Sequence, residues 1–344
     1  MREIFARIRQ EVTNYAESDL GEHIYLPESL PHESIDFYED KFRPLRRKDT
    51  LKPLIFIDGG SQDILNNHSI RLTFIRTAGA VFKKLECIDF ERKEYLVLTK
   101  ISKNDKMQFL SKVFPLNSER GEIFNFDIDD ETLKDGIANG TTSTVAQKIR
   151  RFLELKHAQS MAQKAEKGSI VVLDGSLQTK VTHEQNIMKS LILKAKENEV
   201  MVCAISKTNS LTTNTGVPLT LALQKKNLHD YKMWYYYPLA TIKTDAYPAS
   251  IIITKLHEMT KHLFSVEICN QIPLSDPSKV LGYLCLNSID PVFLGYPYGL
   301  VKVDELARVT NEEASILKMR IVQDEAMHNL EKDHDAHNIL DSIK

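Results

Sequence analysis

Two apolar runs of this 344-residue chain stop at an aspartate followed by glycine and serine: "LIFIDGGS", carrying Asp58, and "SIVVLDGSL", carrying Asp174. A carboxylate that follows a buried strand has to leave the core at once, because an unpaired buried charge is very costly. The glycines after it remove the next side chains, so that another backbone or a phosphate can come close. Two such acids on adjacent strands repel each other, and a divalent cation relieves that repulsion. All-oxygen ligands suit Mg²⁺ or Mn²⁺. Two such ions about 3.5–4 Å apart activate water and steady the leaving oxygen in phosphodiester cleavage. The plain alternative is a pair of turns, since Asp-Gly after a strand is a common turn signal.

The elements that must position these acids follow from hydropathy. Strands are predicted over Leu54–Asp58, Ile70–Phe82 and Tyr95–Ile101, with short connections that favour antiparallel neighbours. A helix follows over Thr141–Lys167, entered through the hydroxyl-rich "NGTTST". "SIVVLDG" is a strand buried on both faces, "HEQNIMKSLILKAKEN" a helix and "VMVCAISK" another apolar strand, which together read as a βαβ unit. Further strands are expected in "ASIIITKL", "FSVEIC" and "GYLCLN", and mostly helix from Asp304 onward. At the N-terminus, residues 1–18 carry an amphipathic stripe of Ile4, Phe5, Ile8 and Val12. This order predicts an α/β fold with a mixed sheet flanked by helices, as in ribonuclease-H-like proteins. Three parts are expected: an N-terminal helix and irregular arm (1–50), a main domain (51–310) and a charged helical tail (311–344).

A net charge of -2 gives no global basic field, so any nucleic-acid surface must be a local patch. "FRPLRRKD", Phe42 to Asp49, is one such cluster. Cys87, Cys203, Cys269 and Cys285 are scattered, with no C-x-x-C pair, which points to a reducing interior. The N-terminus has no apolar signal segment and no stretch reaches the length of a membrane span, so a cytoplasmic protein is expected. Actin-like ATPases and sugar kinases also use two Asp-Gly loops, around nucleotide phosphates. Their loops usually place one residue between the Asp and a glycine pair followed by Thr, unlike "DGGS" and "DGSL". The C-terminal half also lacks a glycine-rich adenosine loop.

In order, "FIDGGS", "RRFLELK", "VVLDGSL", "ISKT" and "LGYPYGLVKVDELAR" resemble the NurA nuclease family over about residues 50–310. The resemblance implies a metal-dependent 5′-to-3′ DNA nuclease using Mn²⁺ or Mg²⁺. It also implies a homodimer working in DNA end resection with the hexameric ATP-driven translocase HerA. The N-terminal helix and C-terminal tail are the expected dimer contacts. By the same resemblance the acidic positions fall on Asp58, Glu154 and Asp174, the lysine on Lys207 and the tyrosine on Tyr296. The last polar position, often His in the family, falls on Asp304, where a carboxylate suits a metal ligand rather than a proton carrier.

Periodicity alone does not select Glu154, which lies opposite Val145, Ile149 and Phe152 on an ideal helix. It shares a side with Ala158, Met161 and Ala165, so that helix is expected to be covered on both faces. The plain reading is a surface Glu paired with Arg150 at i, i+4. Tyr296 and Tyr298 could stack on a base or simply pack. His334 and His337 read as a solvated helix end. A non-catalytic scaffold for a DNA translocase, with the acids reduced to turn formers, is the remaining alternative.

Overall fold

The computed structural model describes residues 1–17, 19–25, 35–48, 52–103, 105–116, 120–134, 140–208, 211–321 and 323. Much of the arm, the end of the basic cluster, and His334 and His337 lie outside the described residues. In chain order the strands are β1 (His23–Tyr25), β2 (Ile35–Asp36), β3 (Phe42–Pro44), β4 (Leu54–Asn66), β5 (Ile70–Lys83), β6 (Glu86–Lys103) and β7 (Met107–Pro115). They continue with β8 (Glu122–Asp127), β9 (Ile170–Asp174), β10 (Met201–Ser206), β11 (Thr212–Thr213), β12 (Trp234–Thr244), β13 (Tyr247–Lys255) and β14 (Phe264–Cys269). The helices are α1 (Arg2–Glu17), α2 (Thr142–Lys164), α3 (Thr182–Glu197), α4 (Leu219–Lys226), α5 (Ser278–Asn287), α6 (Tyr298–Ala307) and α7 (Asn311–Ile321).

The backbone divides into two compact units, one of Met1–Leu51, Asp174–Gln178 and Met201–Tyr298, the other of Lys52–Leu173, Thr179–Val200 and Gly299–Lys344. In the second unit the strands run in the order β9-β4-β5-β6-β7-β8. Strands β4 to β8 form an antiparallel meander, while β9 lies parallel to β4, from Leu54 opposite Ile170 to Ile57 opposite Leu173. The next residue of each strand is an aspartate, Asp58 and Asp174. The sheet is therefore mixed, as expected. Helix α2 packs Val145, Ile149, Phe152 and Leu153 over Ile75, Val97, Phe109 and Val113. On another face, Ile64 and Phe74 meet Val309 and Leu317.

The expected strand Leu54–Asp58 is too short. β4 runs unbroken through both glycines to Asn66, paired residue by residue with β5 as far as Asp63. The first Asp-Gly is thus strand interior and not a turn. β6 also begins earlier than expected, and β7 and β8 were not foreseen, since their alternation of exposed and buried residues dilutes the apolar signal. Helix α2 closely matches its expected span, and the Thr141 hydroxyl caps it by accepting the Thr144 N–H.

In the first unit β3-β12-β13-β14-β10 form an antiparallel sheet, and β11-β1-β2 a small second one. "GYLCLN" is helix α5 rather than a strand: Val280, Leu281, Leu284 and Cys285 are buried at helical spacing. A short apolar run does not distinguish the two by itself. The N-terminal helix forms, with Ile4, Phe5, Ile8 and Val12 all more than half exposed. In the basic cluster Arg43, Arg46 and Arg47 are exposed while Phe42 and Leu45 are buried. Among the described residues no helix is long and apolar enough to cross a membrane.

Candidate active site

In the second unit the chemistry centres on the peptide of Gly59. The Asp58 Oδ1 accepts the Gly59 N–H at 2.7 Å. Arg150 Nη1 donates to the Gly59 carbonyl at 2.6 Å. A β-carbon placed on Gly59 would stand 2.6 Å from Glu154 Oε1, so the glutamate occupies the volume a side chain there would need. Gly60 is required for a different reason. Its β-carbon would collide with the Ala307 carbonyl at the end of α6, and a backbone cannot swing away as a side chain can. Gly299, in the "GYPYGL" stretch, likewise admits the Phe56 ring. The glycines of "DGG" therefore serve an acid on one side and a helix end on the other.

Glu154 is 7% exposed, which rules out the surface reading, yet its pairing with Arg150 is present. Arg150 Nε lies 3.7 Å from Oε1 and Arg151 Nη1 3.5 Å from Oε2. Arg151 also approaches the buried Glu184 at 3.6 Å. The Arg150 Nε is buried and makes no hydrogen bond, which leaves a guanidinium donor open beside the carboxylate. Asp304 stands apart from these groups in its bonding. It is half-exposed on α6 and pairs with Arg308 at 3.0 Å.

In the first unit three of the expected residues come together. Lys207 Nζ donates to Asp174 Oδ2 at 3.0 Å, and the Tyr296 hydroxyl donates to Asp174 Oδ1 at 3.2 Å. The Lys207 ammonium also lies 5.3 Å from the centre of the Tyr296 ring. The loop after Asp174 is fixed locally. Gly175 adopts a φ of +95°, open to glycine, with its N–H on the Ile205 carbonyl. Its own carbonyl accepts the Ser206 hydroxyl at 2.7 Å. Tyr296 is buried against Phe293 and Phe264, so its ring packs while its hydroxyl reaches the acid.

One residue escaped the sequence reading. Glu267, in the middle of the fully buried strand β14, accepts the Ser176 hydroxyl (3.0 and 2.9 Å), the Leu177 N–H (2.7 Å) and the Tyr247 hydroxyl (2.7 Å). Burial and the Glu267 charge push the Tyr247 phenol pKa up, which keeps it a donor. The signal was available: an acid inside an apolar strand must have partners.

The carboxylates present are hard oxygen donors, the type suited to Mg²⁺ or Mn²⁺. Two of them, Asp58 and Glu154, border one glycine whose missing side chain leaves the space. Among the described residues no group of three or more His, Cys, Asp or Glu is arranged to hold a metal ion.

No protein-family profile matches the chain, and no curated protein does. Among solved structures it is similar to the NurA nuclease from Sulfolobus solfataricus, at 14% identity and a TM-score of 0.50, over 94% of this chain and 96% of that one. Human endonuclease V aligns over 76% of this chain and 89% of its own, at 11% identity and a TM-score of 0.37. The Argonaute of A. aeolicus matches 76% of this chain but 29% of its own, at 10% identity and a TM-score of 0.31. The first of these shows the fold, a mixed α/β architecture shared along nearly the whole chain.

Proposed function

We propose that this chain is a divalent-metal-dependent DNA nuclease. The observation that carries the reading is the joint hold of Lys207 and Tyr296 on Asp174, two groups brought from distant segments onto one carboxylate. An acid needed only for a turn has no use for two such partners. The shared fold with a nuclease supports the reading. In it, Asp58 and Glu154, which border the same glycine, would hold Mn²⁺ or Mg²⁺ in the second unit, and Asp174 and Asp304 are the further carboxylates the family resemblance would assign to the metal. When bound, such an ion lowers the pKa of a water and offsets charge on a phosphodiester. The Lys207 ammonium offers a donor to phosphate oxygens. The Tyr296 hydroxyl fixes one oxygen of Asp174, leaving the other to Lys207.

On this reading the enzyme is a 5′-to-3′ exonuclease, with single-strand endonuclease activity as a companion. It works in DNA end resection beside a hexameric HerA-type ATPase. It acts in the cytoplasm as a homodimer, for which the exposed stripe of α1 is an available contact. The actin-like alternative loses its first phosphate loop, because β4 is continuous through Gly59 and Gly60 and the space beside them is filled by Glu154 and α6.

The test is incubation of end-labelled DNA with Mn²⁺, with and without a chelator. Release of the 5′ label that stops on chelation is expected. Absence of cleavage with any divalent ion, together with thermal stabilisation by ATP, would instead favour the ATPase reading.

A further inference from the structure

Within the first unit, the chain leaving Asp174 enters Gly175, whose φ of +95° lies where glycine is favoured. A glycine directly after an acid is a loose joint, and an acid on a loose joint has no fixed aim. Here the joint is held at successive residues. Gly175 is bonded through its N–H to the Ile205 carbonyl and through its own carbonyl to the Ser206 hydroxyl. The next two residues both bond Glu267. Ser176 directs its hydroxyl to Oε1 at 3.0 Å and Oε2 at 2.9 Å, and Leu177 donates its N–H to Oε2 at 2.7 Å. The Ser176 Oγ in turn accepts the Gln178 N–H at 3.0 Å.

Stability does not account for a carboxylate at this place. Every residue of β14 is buried, and Glu267 is 5% exposed. In such an interior a well-packed apolar residue of similar volume is often as stable or more so. What an apolar residue cannot do is accept a hydroxyl and an N–H from the second and third residues after Asp174. The Asp174 carboxylate is met by the Lys207 ammonium at 3.0 Å and the Tyr296 hydroxyl at 3.2 Å. Both bonds need its oxygens in fixed places, since hydrogen bonds weaken steeply as their geometry departs from the optimum.

We propose that Glu267 is a positioning residue for the Asp174 site. Through the Ser176 hydroxyl and the Leu177 N–H it holds the loop that aims Asp174 at Lys207 and Tyr296. The effect on cleavage rests on the nuclease reading, whereas the effect on the loop rests on the hydrogen bonds alone.

The experiment compares full-length wild type with Glu267→Ala, Glu267→Gln and Ser176→Ala. Gln is the conservative variant: its amide oxygen accepts the Leu177 N–H and the Ser176 hydroxyl, while its NH2 faces the Tyr247 hydroxyl, which can also accept. In metal-free protein, amide hydrogen exchange over residues 175–178 is expected to be about tenfold faster or more in Glu267→Ala and close to wild type in Glu267→Gln. On end-labelled DNA with Mn²⁺, Glu267→Ala lowers kcat about 10²-fold with KM little changed, and Glu267→Gln recovers to within about tenfold of wild type. Ser176→Ala, which leaves β14 intact, speeds the exchange, lowers kcat about tenfold, and carries the test if Glu267→Ala does not fold. Ile242→Ala, a buried truncation on β12, controls for lost stability: it lowers the melting temperature and leaves kcat unchanged. Unchanged exchange in the Glu267→Ala and Ser176→Ala variants, unchanged kcat in both, or an equal fall of kcat in Ile242→Ala, would overturn the proposal. Faster exchange in the variants of a protein whose wild type never cleaves DNA would remove the nuclease reading and leave the hold on the loop standing.

Discussion

Glu154 Oε1 lies 2.6 Å from the point where a β-carbon on Gly59 would stand, while the Gly59 N–H is held by Asp58. An acid on α2 and an acid on β4 thus border the same peptide, and the missing side chain between them is what admits the glutamate.

Gly59→Ala and Gly60→Ala separate these roles. The first meets only a side chain, Glu154 at its Oε1 and Cγ, so it displaces the glutamate, and the misplaced Glu154 costs about 10²-fold in cleavage rate. The second meets the Ala307 carbonyl. It lowers stability by about 1–3 kcal/mol through overpacking. Thermal melts and cleavage rates of the two variants check this contrast.

Tyr296→Phe keeps the ring packed on Phe293 and Phe264 and deletes the donor to Asp174. Stability should change by about 1–3 kcal/mol. Cleavage should fall about 10²-fold, the usual cost of losing one aimed donor. Rates measured beside denaturant midpoints show whether activity and stability part in this way.

Glu267→Ala strands the Ser176 and Tyr247 hydroxyls and the Leu177 N–H inside the fold. A loss of about 3–5 kcal/mol is expected. Glu267→Gln, which keeps an acceptor oxygen and the volume, should recover part of it. Urea unfolding of both variants is the measurement.

Acid should loosen the second unit in two steps. The His157 ring is buried neutral with its pKa lowered to about 3 from 6.5, so the unfolded chain binds the extra proton and stability falls as pH drops below about 6.5. Glu313 is held down to about 2, first by its hydrogen bond from Arg76 and next by the Thr310 N–H. Its contribution is present above its ordinary 4.5 and is lost as pH falls from there toward 2. Glu313→Gln should flatten the lower window and leave the upper one. Melting temperatures across pH 2 to 7 read both windows.

Much of this was legible in the residues. Apolar runs marked β4, β9 and β10, and the Thr141 cap marked the start of α2. The ordered motifs drew attention to Asp174, Lys207 and Tyr296, which do meet. What escaped has physical reasons. A turn stayed open as the alternative for Asp-Gly-Gly because the sequence does not show that Glu154 and the end of α6 need those glycines empty. The helix of "GYLCLN" hid in a run too short to show its period. Glu267 was passed over as part of an apolar strand, although its charge there was itself the clue. Asp304 remains tied to Arg308 on a half-exposed helix face, a placement that composition could not give.

The most direct test compares wild type with Asp58→Ala on 5′-labelled DNA in Mn²⁺, with folding of both confirmed by their melting curves. Metal-dependent hydrolysis by the wild type and its loss in the variant is the predicted result. Equal cleavage by the two folded proteins would contradict the assignment of Asp58 and its neighbouring acids to the metal centre.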